Sequence, residues 1–236
     1  MRRRLLTVSM ALTGVLALAM PANAAIDRPV AIWQMNEPAG SQVMADSSGN
    51  GRNGVIGADV QEGTALQGGG TGYRFPWRRP NTPPADPEHL VVVPHSNALN
   101  PGSGDFAVEL RMRTTHSFGN VIQKGQAGSP GGYWKFEQPN GKIVCLFKGS
   151  AGRSTATAGS TVRVNDGNWH TVRCERTASM VTMTIDGVVT SRNRNRTGTI
   201  ANTRPLTIAG KGHCDQVEIT CDYFAGEIDY VRIETS

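Results

Sequence analysis

The chain has 236 residues, a formal net charge of +5, 38% hydrophobic and 18% charged side chains, and four cysteines. Three of the positive charges are Arg2, Arg3 and Arg4 in a leader without acidic residues, so residues 25–236 carry only +2. That balance speaks against nucleic acid as a partner, and the composition is neither that of a disordered chain nor that of a helical bundle.

Residues 1–24 read as a secretory signal peptide. The arginines precede an apolar run of about 16 residues, Leu5 to Met20, short for a bilayer span of roughly 20. Pro21 leads into Ala22-Asn23-Ala24, a small-x-small pattern that predicts cleavage after Ala24. No later stretch has the length of a membrane span, so residues 25–236 are expected to form one secreted, extracellular domain.

After the leader, helical spacing is nearly absent and short alternating runs recur. Phe106 to Arg113, Tyr133 to Glu137, Val181 to Ile185 and Ile228 to Ile233 each place apolar residues on one face, as half-buried strands do. Roughly a dozen such runs are separated by turns. Asn140-Gly141 and Asp186-Gly187 supply the positive φ that two-residue hairpins need. Many short strands without helical crossovers predict an all-β fold of two antiparallel sheets.

Gly68 to Pro87 breaks this rhythm with glycines, prolines and Arg74, Arg78 and Arg79, among which Tyr73, Phe75 and Trp77 are interleaved. It reads as a long loop, with Tyr73 and Trp77 as exposed platforms for a sugar ring. Trp33, Phe106, Trp134 and Trp169 lie within strand patterns and are expected in the core. Ser191 to Thr197 is a basic, amide-rich turn in which Arg192 and Arg194 are candidates to grip an anionic polysaccharide through bidentate guanidinium contacts.

An even cysteine count in an exported chain predicts two disulfides, of three possible pairings. The favoured pairing is Cys145–Cys174, between neighbouring strands, and Cys214–Cys221, closing a short loop. Zinc is the alternative, but no C-x-x-C pair exists to support it.

Several motifs in order are similar to one family. Ala31-Ile32-Trp33-Gln34-Met35-Asn36-Glu37 is followed by Asp46-Ser47-Ser48-Gly49-Asn50-Gly51-Arg52-Asn53-Gly54, Leu99-Asn100-Pro101-Gly102, Asp105-Phe106-Ala107-Val108 and Ile122-Gln123-Lys124-Gly125. Asp166-Gly167-Asn168-Trp169-His170, Ile185-Asp186-Gly187 and Phe224 to Ile233 complete the series. From about Ala31 to Ile233 the chain resembles a laminin G-like domain of the concanavalin A-like lectin and glucanase superfamily. The resemblance implies a jelly-roll sandwich, a structural calcium ion, and binding of glycans, proteins or steroids.

For calcium, Asp46-x-Ser48-x-Asn50 offers alternate oxygen donors, but the twelfth position of an EF-hand would be Gly57, which excludes that motif. The resemblance implies instead that Asp229 of the final strand joins Asp46, Asn50 and Glu37 around a structural ion. A metal-free, Asx-rich turn is the alternative. Gly49 to Gly54 matches G-x-G-x-x-G only in spacing, since no βαβ unit surrounds it.

Glu227-x-Asp229 resembles the first two carboxylates of the retaining glucanases in that superfamily. The third position here is Val231 or Arg232, neither of which can protonate a glycosidic oxygen. No G-x-S-x-G or H-E-x-x-H pattern occurs, and the five histidines (His89, His95, His116, His170 and His213) are scattered. The expectation is a non-catalytic binding module for extracellular or cell-surface carbohydrate. A protein-binding adhesion domain is the first alternative, and a glycoside hydrolase or lyase the second.

Overall fold

A computed structural model describes residues 25–79, 87–150, 156–214 and 221–236. The signal-peptide reading of residues 1–24 lies outside the described residues. Sixteen strands occur among the described residues: β1 (Arg28–Trp33), β2 (Val43–Met44), β3 (Gly54–Ile56), β4 (Gln61–Ala65), β5 (Thr71–Phe75), β6 (Val91–Val93), β7 (Phe106–Arg113), β8 (Asn120–Lys124), β9 (Tyr133–Glu137), β10 (Val144–Lys148), β11 (Ala156–Gly159), β12 (Trp169–Arg176), β13 (Val181–Ile185), β14 (Val188–Asn193), β15 (Leu206–Ile208) and β16 (Gly226–Thr235). The number exceeds the expected dozen because β2, β3, β6 and β15 are too short to show alternation in the sequence. No described helix is long and apolar enough to cross a membrane.

The strands form two eight-stranded antiparallel sheets. The first runs β14-β13-β12-β7-β16-β5-β4, with β1 also paired to β16, and the second runs β11-β10-β9-β8-β15-β6-β3-β2. Period-2 geometry decides what lies between them. In β7, Phe106, Val108, Leu110 and Met112 enter the core, while Glu109, Arg111 and Arg113 face out. In the second sheet, Val91, Val93, Ile122, Trp134, Phe136, Leu206 and Ile208 turn inward. One apolar core draws on residues from Val30 to Ile233, and Leu90, Cys214, Cys221 and Tyr223 form a satellite cluster outside the second sheet.

Asp186 and Gly187 both have positive φ (51° and 79°), as the type I′ hairpin between β13 and β14 requires. The Asp186 carboxylate accepts the Thr171 amide at 2.8 Å and pairs with His170 Nδ1 at 2.8 Å, while His170 Nε2 meets Asp166 at 3.1 Å. The two distant Asp-Gly motifs are thus fastened to each other through one histidine.

Both expected disulfides form. Their setting corrects the expectation: Cys145 lies on β10 and Cys174 on β12, in opposite sheets. The bridge therefore crosses the core instead of joining neighbours in one ladder. Trp169 is also not a core residue. It stands on the outer face of the first sheet, half-buried beneath the Arg111 and Arg113 guanidinium groups, which lie 4.8 and 5.3 Å from its ring.

Candidate functional site

The segment expected to be a loop begins as a strand. In Thr71-Gly72-Tyr73-Arg74-Phe75, alternation buries Tyr73 and Phe75 and turns Arg74 outward. Tyr73 is fully buried and so offers no platform for a sugar. Its hydroxyl donates to the Glu37 carboxylate, and burial, reinforced by that carboxylate, raises its pKa.

Trp77 follows the end of β5 and is held out by its neighbours. Phe75 packs edge-on against Phe224, with centroids 6.3 Å apart. Arg78 turns back to pair with Asp59 and lies over the Tyr223 ring at 5.9 Å. The indole between these anchors is 62% exposed.

It borders a groove of about 290 Å³ at the end of the first sheet, shared with Arg74, Arg113, Thr115, His116 and Glu227. Arg113 Nη2 meets the Glu227 carboxylate at 2.5 Å. Arg74, opposite Glu227 in the register, has no side-chain partner among the described residues. Gly226 lets β16 enter close against β7: its φ is +152°, and a Cβ there would lie 2.5 Å from the Arg113 carbonyl. The groove therefore joins an exposed aromatic face to an unpaired cation, a histidine and a neutralised ion pair. Sequence reasoning found Trp77 but missed Arg74, Arg113 and His116. For the two arginines, the outward positions of the alternation were the available signal.

Arg192 and Arg194 are exposed, on and just beyond β14. That strand is the opposite edge of the sheet, five strand spacings from β5, or about 24 Å. They share no site with Trp77.

The four residues expected around calcium do not converge. Asp46 Oδ1 accepts from the Ile32 and Ser48 amides and the Ser48 hydroxyl, and Oδ2 accepts from the Arg52 amide. Burial opposes ionisation there, but these bonds together hold its pKa below the usual value. Asn50 turns its amide nitrogen, not its oxygen, to the backbone, donating to the Pro29 and Val30 carbonyls. Glu37 is occupied by the Ala45 amide and the Tyr73 hydroxyl. Asp229 pairs with Arg111 at 2.6 Å. The carboxylates of Asp46, Glu37 and Asp229 are each engaged by protein amide, hydroxyl or guanidinium groups, which does not fit one shared cation that needs six to eight oxygens. The Asp46 carboxylate closes an Asx turn on the Ser48 amide. Among the described residues, no three acidic, histidine or cysteine side chains gather to hold a metal.

The same pairings bear on the carboxylates of β16. Glu227 and Asp229 each face a guanidinium, Arg113 and Arg111 respectively, and Asp229 is the extra residue of a bulge between Ile228 and Tyr230. A retaining glycosidase requires one carboxyl group free to protonate and another free to attack. Here each of the two is engaged by an arginine.

Comparison with known proteins places this architecture. The model of the laminin G domain matches residues 112–236, more than half of the chain. Among solved structures, the binding domain of botulinum neurotoxin DC in complex with rat synaptotagmin II is 13% identical, with a TM-score of 0.63 over 88% of this chain and 48% of that one. The binding domain of Paraclostridial Mosquitocidal Protein 1 is 14% identical, with a TM-score of 0.60 over 89% and 48%. Domains LG4-5 of the mouse laminin alpha1 chain are 19% identical over 56% of this chain and 37% of that one, with a TM-score of 0.48. The chain thus spans about half the length of the toxin binding domains it matches. At these identities the toxin likenesses show the fold alone. A search of curated proteins found no match. The family match, together with two antiparallel sheets around one core, identifies the chain as a member of the laminin G domain family.

Proposed function

We propose that this chain is a non-catalytic, extracellular binding module that recognises a saccharide at the Trp77 groove. The exposed indole beside Arg74, which has no side-chain partner among the described residues, carries the reading. An aromatic face covers the apolar C–H face of a pyranose, while neighbouring polar groups bond its hydroxyls. Arg74 adds a preference for acidic sugars through bidentate pairing with a carboxylate or sulfate. Two disulfides support an oxidising compartment. The guanidinium-paired state of Glu227 and Asp229 supports binding without turnover. The toxin domains that share the fold are named as binding domains, which agrees with this reading.

A glycan array probed with the full chain tests it. Retention of acidic glycans is expected, unchanged by a calcium chelator and lowered about tenfold or more by Trp77→Ala. Failure to retain any glycan, with capture of an extracellular protein instead, would replace it by the adhesion reading. Reducing ends released from a polysaccharide panel would replace it by hydrolysis.

A further inference from the structure

A larger cavity, of about 400 Å³, opens on the outer face of the second sheet and shares no residue with the Trp77 groove. Its floor is one row of the sheet. The registers Val92↔Thr207 and Thr207↔Gln123 align three outward side chains across β6, β15 and β8. Leu90 faces the same way as Val92, two residues earlier, and belongs to the satellite cluster with Cys214, Cys221 and Tyr223. The loop after β8 forms one wall. The approach to β15 through Arg204 and Pro205 forms another, and Gly212 to Cys214, anchored by the Cys214–Cys221 disulfide, a third.

Three polar side chains of this cavity, Gln123, Arg204 and His213, are not fully partnered among the described residues. Gln123 is only 4% exposed. Its amide oxygen accepts from Asn120 Nδ2 at 3.0 Å, which fixes the group, and its amide nitrogen has no partner among the described residues. At the mouth, the exposed side chains of Arg204 and His213 also lack partners among the described residues, and no carboxylate among those residues lines the cavity. By contrast, the Thr207 hydroxyl is spent on the Gly210 carbonyl at 2.7 Å.

We propose that this cavity is a second ligand site, for a small amphipathic anion: a compact apolar ring system bearing a carboxylate or sulfonate. The apolar body lies against Leu90, Val92 and Pro205. An acceptor oxygen receives the free N–H of Gln123, and the acid group meets Arg204 at the mouth. The volume falls within the range of pockets that enclose small molecules. This site goes beyond the saccharide reading and does not depend on it.

The test uses 8-anilinonaphthalene-1-sulfonate with the full, disulfide-intact chain, followed by fluorescence. Saturable binding of one probe per chain is expected. Arg204→Gln should weaken it about tenfold, and the uncharged N-phenyl-1-naphthylamine should bind at least about tenfold more weakly than the sulfonate. Ala127→Trp, an exposed substitution at the cavity wall, should abolish binding, with the near-ultraviolet dichroism unchanged to show that the fold persists. Trp77→Ala should leave probe binding as it was, so the two sites succeed or fail separately. Absence of stoichiometric binding, equal affinity for the uncharged probe, or wild-type binding by both Arg204→Gln and Ala127→Trp would overturn the proposal.

Discussion

Replacing Cys145 and Cys174 together by alanine should cost this fold more than any substitution on its surface. The bridge closes a loop with a sequence separation of 29 between strands of opposite sheets, and both cysteines are fully buried. Freeing that loop in the unfolded chain is worth about 3.6 kcal/mol at 25 °C in the chain-entropy account. Alanine leaves no buried hydroxyl behind, but the two missing sulfur atoms add a cavity cost of about 1 kcal/mol or more. The total approaches the whole stability of a marginal domain, about 5–15 kcal/mol. The Cys214–Cys221 bridge spans a separation of only 7, for which the same account gives about 2.4 kcal/mol. Urea unfolding followed by tryptophan fluorescence measures both. The comparison should use extrapolated free energies, because removing a cross-link expands the unfolded chain and changes the slope. If the Cys145/Cys174 double variant lost no more stability than the Cys214/Cys221 one, the view that the inter-sheet bridge constrains the unfolded ensemble would be refuted.

The His170 clamp makes stability pH-dependent. Burial opposes protonation of His170, but Asp186 and Asp166 outweigh it and raise its pKa, so its contribution is complete below about pH 6.5 and fades as pH rises through the folded value. His170→Asn should therefore destabilise more at pH 5.5 than at pH 8.5, as read by thermal melts at both. Asp166, drawn down to about 2 chiefly by its bonds to the Asn168 amide and side chain, stabilises above its unfolded value, and that contribution should disappear only as pH falls toward 2. Lys124 behaves oppositely. Burial pushes it down to about 8, so between there and about pH 10.5 the unfolded chain holds more protons and stability should rise with pH. Lys124→Met should flatten that rise in a urea titration series. Gly131→Ala and Gly40→Ala separate crowding from backbone preference, since both positions have φ near +83°. A Cβ at Gly131 would lie 1.7 Å from the Ala201 carbonyl, whereas one at Gly40 meets nothing within 4 Å. Chemical denaturation should show a loss of about 2–4 kcal/mol for the first and about 1 kcal/mol for the second.

Local chemistry made much of this protein legible before any coordinates. Period-2 alternation is a property of the extended backbone, so β7, β9, β13 and β16 could be read from their own residues. Asp186-Gly187 could be read as a hairpin because positive φ is a single-residue cost. Trp77 was recognisable as a large aromatic residue in a proline- and arginine-rich stretch that breaks the strand rhythm. Tyr73, only four residues earlier, was misplaced because surrounding glycines and prolines disguised a five-residue strand.

Everything that depends on which strand lies beside which was decided by tertiary structure. The insertion of β15 between β8 and β6 sets Val92, Thr207 and Gln123 in one row, although they stand tens of residues apart in the chain. The stacking of β10 over β12 turned a presumed neighbour bridge into a link across the core. Pairing of β16 with β7 placed Arg113 beside Glu227 and Arg111 beside Asp229. A side chain's direction is set by its own strand, whereas its partner is set by strand order, which depends on the burial of all the strands together.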